Sequence, residues 1–94
     1  MAVARVVTFD GVSKDRMAEL SREISEGDPP EGFPPAEIVV LHDPETEQSL
    51  VIIFFENDED YQRGHEVLDA MPASDTPGRR TSVRKHDVHV RMKS

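Results

Sequence analysis

Residues 49–55 read SLVIIFF. Alternate residues of a strand point to opposite sides of its sheet. As a strand, Ser49–Phe55 shows Leu50, Ile52 and Phe54 to one side and Val51, Ile53 and Phe55 to the other. Both sides are apolar, so both need cover. Residues 37–42, EIVVLH, repeat the pattern, with Ile38 and Val40 on one side and Val39 and Leu41 on the other. The intervening DPETEQ is short, polar and opens on Asp43-Pro44, a turn signal, so the two strands form a hairpin.

Working outward, Val3–Phe9 is rich in β-branched residues and reads as a strand that Asp10-Gly11 ends. Ser13 is the expected N-cap of a helix running to about Glu26, with Met17, Leu20 and Ile24 on one stripe and Gly27 closing it. The connector DPPEGFPP, 28–35, holds four of the chain's 7 prolines, which neither a helix nor a strand can carry through. Beyond the apolar strand, Asn57 caps a second helix whose first turn carries Asp58, Glu59 and Asp60. Tyr61, His65, Leu68 and Met71 form its inward stripe, Val67 lies at the margin and Pro72 ends it. After the loop ASDTPG, Thr81–Met92 is the expected last strand, alternating at Val88, Val90 and Met92.

The order is therefore β-α-β-β-α-β, the ferredoxin-like α+β arrangement with an antiparallel sheet, in one domain over 1–94. The helices of that arrangement cover one face of the sheet. The other face would be an exposed apolar patch of a kind monomers avoid. A chain of 94 residues buries only about 60–65% of the surface its unfolded form exposes. With 0 cysteines there is no disulfide or thiolate metal site to supplement the core. Self-association is the expected supplement.

On this layout the whole chain resembles the dimeric α+β barrel superfamily, and in particular its small antibiotic-biosynthesis-monooxygenase-like proteins. The resemblance is carried by length, element order and the Ile/Val/Phe-rich third strand followed by an Asn/Asp-capped helix. It implies a homodimer closed sheet to sheet. Members of that superfamily include cofactor-independent oxygenases, haem-degrading enzymes, isomerases and proteins with no known activity. The haem-degrading branch uses a pocket tryptophan, and this chain has 0 Trp. There is no GxGxxG and no P-loop for a nucleotide or flavin. No cofactor is expected.

Net charge is −8, which argues against nucleic acid as the main partner. The charge is unevenly placed. Residues 1–78 hold 5 of the 11 Lys and Arg and 18 of the 19 Asp and Glu, a net of −13, whereas residues 79–94 hold 6 and 1, a net of +5. The basic end is expected to blunt a sheet edge and complement the acidic body, the alternative being a ligand-facing role. No apolar run approaches the roughly 18 residues of a membrane span, and MAVARVVTFDG lacks a signal-peptide core. A soluble, unprocessed, cytoplasmic protein is expected, the absence of cysteine being consistent with that compartment.

Candidate site residues are few. His65 follows Tyr61 by four and precedes Leu68 by three, so it shares their inward stripe. An imidazole beside a phenol under an apolar sheet can act as a general base or bind a ligand. The competing reading is a boundary histidine paired within the protein. His86 and His89 point to opposite faces of a strand and cannot chelate one ion together, so no metal site is expected. His42 reads as a hydrogen-bonding turn residue.

The stretch GRR, Gly78-Arg79-Arg80, enters the last strand. Counting back by twos from Val88 puts Arg80, not Arg79, on the apolar face, where its guanidinium needs an acid or an anionic ligand. The expected function is binding of a small organic molecule between helices and sheet, with Tyr61, His65 and Arg80 as its polar contacts. His65 would be catalytic if the chain is a cofactor-independent monooxygenase. The alternative is a non-catalytic interaction or structural module with a packed interior.

Overall fold

The computed structural model describes residues 2–28, 31–70 and 78–92. Its elements are β1 (Val3–Asp10), α1 (Lys14–Glu26), β2 (Glu37–Asp43), β3 (Gln48–Phe55), α2 (Asp58–Asp69) and β4 (Arg79–Asp87). The strands form one antiparallel sheet in the order β2-β3-β1-β4. This is the expected β-α-β-β-α-β order in an α+β fold. Among the described residues no helix is long and apolar enough to cross a membrane.

Both helices start where the sequence places their caps. The Ser13 hydroxyl accepts from the Arg16 N–H and the Asn57 side chain from the Asp60 N–H, each satisfying a donor that the first helical turn leaves open. Gly27 ends α1, donating its N–H to the Glu23 carbonyl. The helix α2 ends at Asp69, with Ala70 as its C-cap. Met71, Pro72 and the loop to Pro77 lie outside the described residues.

The face of the sheet under the helices carries Val3, Arg5, Val7 and Phe9 of β1 and Ser49, Val51, Ile53 and Phe55 of β3, which pair across the strands. Two clusters fill that layer. Val7, Phe9 and Val12 pack with Met17 and Leu20 of α1. Val3, Ile53 and Phe55 pack with Tyr61 of α2. Phe33 and Tyr61 flank the Phe55 ring, each with its centroid 5.8 Å from it, so the proline-rich connector closes one end of the core. The helix α2 reaches this close because residue 64 is glycine: a Cβ there would lie 2.5 Å from Phe55 Cε1.

The opposite, open face carries Ala4, Val6 and Thr8 of β1, Leu50, Ile52 and Phe54 of β3, and Val39 and Leu41 of β2. Ser82, Arg84 and His86 of β4 complete it. Neither α1 nor α2 lies on it. Leu41 is 49% exposed, and Val6, Leu50, Ile52 and Phe54 are half-buried.

Two expectations about the last strand are corrected. Its pairing ends at Asp87, and residues 88–92 are not strand. The Val88 N–H donates to the Ala2 carbonyl, and the Arg91 guanidinium lies 4.4 Å from the Phe54 ring centroid and pairs with Glu37. Residues 88–91 thus leave β4 and run toward β2, with Arg91 over the open-face ring of Phe54. Val90 and Met92 stay exposed. Their alternation mimics a strand, but among the described residues no strand pairs with them.

The second correction concerns parity. The register of β4 against β1 slips between Thr8 and Phe9, so that Ser82 faces Thr8 but Arg80 faces Phe9. One extra residue, Thr81, is accommodated in a bulge. Arg80 is therefore turned to the helix side with Val83 and Lys85, not to the side of Arg84 and His86. His89 lies beyond the strand end, while His86 sits on the open face.

Candidate functional site between the second helix and the last strand

A polar seam joins α2 to β1 and β4. It begins with Arg5, which the alternation of β1 forces inward between Val3 and Val7. Arg5 is only 4% exposed. Its Nε donates to Nδ1 of His65 at 3.3 Å and its Nη2 to Oδ1 of Asp69 at 3.5 Å. Burial pulls the Arg5 pKa below its usual value, and the nearby Asp69 carboxylate and Tyr61 partly restore it against a further lowering push from Arg80.

His65 and Asp69 stand four apart on α2, so they share one face of the helix. His65 Nε2 lies 3.0 Å from Asp69 Oδ2. With Nδ1 accepting from Arg5, Nε2 is the nitrogen that donates. The imidazole also stacks on Tyr61, at 5.8 Å and 8° between planes. Neither ring nitrogen is left free to meet a substrate.

Arg80 completes the seam from β4. The bulge swings it to the helix side, where Nη1 contacts the same Asp69 Oδ1 at 3.4 Å. Further along, Lys85 lies opposite Arg5 in the β1–β4 register. Its ammonium is 2.8 Å from Asp58 and 5.2 Å from the Tyr61 ring centroid. The hydrogen bond to Lys85 holds Asp58 below its ordinary pKa, and the same bond raises Lys85. Arg79 instead faces water, with a 3.4 Å contact to Asp10.

Tyr61, His65 and Arg80, the three residues expected to meet a ligand, thus fall along one seam. Tyr61 and His65 are in direct contact, and Asp69 links His65 to Arg80. Sequence reasoning missed Arg5, Asp69 and Gly64. The parity of β1 marks Arg5, and the spacing Tyr61, His65, Asp69 marks the acid that answers it. His42 lies within β2 rather than in the turn expected for it, and its Nε2 donates to the Val12 carbonyl at 2.8 Å.

A concavity of about 320 Å³ lies elsewhere, at the end of the sheet, bordered by Ala2, Pro35, Glu37, Phe54, Glu56 and Arg91. It does not include Tyr61, His65 or Arg80. Among the described residues no buried side-chain nitrogen or oxygen lacks a hydrogen-bond partner. No protein-family model matches the chain, and no curated protein matches it either.

Proposed function

We propose that the chain works as a homodimer closed through the open face of its sheet, in the manner of the dimeric α+β barrels, with the seam between α2 and β4 as a binding cleft in each subunit. The observation that carries the dimer is the row Val6, Leu50, Ile52, Phe54, Val39 and Leu41 on a face that neither described helix covers. A soluble chain of this size gains by covering such a patch, at about 25 cal/mol for each Å² of apolar surface buried.

Charge favours a second copy as the cover. Arg84 flanks the apolar row on β4, at one edge of the sheet, and Asp43 flanks it on β2, at the other, where Glu37 is already paired with Arg91 of the same chain. A two-fold axis can set the basic edge of each copy against the acidic edge of the other. The net charge of −8 disfavours nucleic acid, and the absence of cysteine supports a cytoplasmic setting. The test is a pair of charge insertions followed by light scattering. Ile52→Asp, on the open face, should give a folded monomer. Ile53→Asp, buried beneath the helices, should not fold. A wild-type monomer would reject the dimer.

Small-molecule binding is supported by the seam, where two guanidiniums share one half-exposed carboxylate. A cofactor-independent oxygenase would need a base there, and the engagement of both His65 nitrogens favours binding over catalysis. The fully paired polar atoms equally suit a non-catalytic interaction module. A thermal-shift screen of aromatic acids, quinols, haem and phosphates separates the two, since a ligand of the native state raises the melting temperature.

A further inference from the structure

Two arginines of the seam converge on one atom. Arg5 Nη2 and Arg80 Nη1 reach the same oxygen of Asp69, at 3.5 and 3.4 Å. Both contacts are long, and neither guanidinium uses the paired, two-bond geometry in which it recognises a carboxylate best. Asp69 is moreover the last residue of α2. There the helix dipole disfavours a negative charge. Its side chain is 43% exposed and that of Arg80 is 45% exposed, so the carboxylate can turn out to water without crossing the core, giving up its 3.0 Å contact with His65 Nε2 to do so. Arg5 is buried, and an anion must remain beside it whether or not Asp69 does.

We infer that Asp69 is a displaceable internal carboxylate, and that Arg5 and Arg80 together bind a small organic carboxylate in its place. This rests on the cleft reading above and assigns its ligand class. Lys85, held by Asp58 on the same side of the sheet, adds positive potential along the seam. The His65 ring, 30% exposed and backed by the buried Tyr61 ring, supplies a flat wall for an aromatic or planar body attached to the carboxylate. The ligand carboxylate would take two-bond contacts that the tethered Asp69 does not reach.

The test is a titration of the full chain with benzoate and with the neutral isostere benzamide, followed by amide chemical shifts at constant ionic strength. Benzoate should bind saturably and shift Arg5, His65 and Arg80, while benzamide should not. Arg80→Met should weaken benzoate about tenfold or more, the loss expected for a charged hydrogen-bond donor. Asp69→Asn, which removes the internal competitor, should tighten it. Arg79→Met, whose side chain faces water on the far side of the bulge, should leave it unchanged. Equal binding of benzoate and benzamide would overturn the carboxylate assignment while leaving a cleft ligand in place. Binding of neither would overturn the assignment and count against the cleft itself. Benzoate binding that survives Arg80→Met, or that Asp69→Asn weakens, would also overturn it.

Discussion

Arg5 on β1 donates through Nε to Nδ1 of His65 on α2 at 3.3 Å, tying a buried guanidinium to a helix sixty residues away in sequence. The bond exists because β1 alternates. Val3 and Val7 must face the helices, and Arg5 goes in with them. Its charge is then answered from above by His65 and Asp69.

A buried ion pair is a poor source of net stability but costly to half-remove. Arg5→Met should therefore leave stability within about 1 kcal/mol of wild type, or raise it, because the aliphatic stem is replaced and no buried charge remains. Asp69→Ala should destabilise, by about 1–2 kcal/mol, since the exposure of Asp69 discounts the 3–5 kcal/mol typical of a fully buried pair. Urea unfolding midpoints of the two variants measure the contrast. A larger loss for Arg5→Met than for Asp69→Ala would refute it.

Gly64 sets the height of α2 above the sheet. In an exposed helix, alanine would gain about 1 kcal/mol over glycine. Here its Cβ would lie 2.5 Å from Phe55 Cε1, and the Phe55 ring is held between Phe33 and Tyr61. Overpacking of this kind costs about 1–3 kcal/mol, so the steric term wins. Gly64→Ala should lower stability by a net of up to about 2 kcal/mol. A rise in melting temperature would show that the helix lifts freely.

Asp58 and Lys85 predict the acid response. The hydrogen bond to Lys85 lowers the Asp58 pKa in the fold. A depressed carboxylate contributes stability that is complete above its unfolded pKa, near 4. That contribution is lost as pH falls through the folded value. The raised Lys85 gives the opposite limb, with its contribution lost as pH climbs through a folded value above the usual ammonium range. Asp58→Asn should flatten the fall in stability below about pH 4. Unfolding midpoints from pH 7 to pH 3 that decline equally in both proteins would contradict this.

Element order, both helix caps and the two-sided apolar hairpin are legible in the sequence, because each follows from local periodicity or from a capping residue. The facing of Arg80 is not. A bulge at Thr81 depends on how β4 meets β1, and one extra residue reverses every side chain beyond it. The end of β4 is hidden for a related reason: Val88, Val90 and Met92 alternate like a strand, but pairing requires a neighbour. Arg5 and Asp69 were readable in principle from parity on β1 and four-residue spacing on α2. An arginine inside VARVVTF is easily taken as solvent-facing until the covered face is known.

Sedimentation equilibrium of the wild-type chain across a concentration series tests the central claim most directly. The chain mass is 10.6 kDa. The open face of Val6, Leu50, Ile52 and Phe54 predicts twice that mass at micromolar concentration, falling toward the single-chain value on dilution. A single-chain mass at every concentration would contradict the sheet-to-sheet dimer.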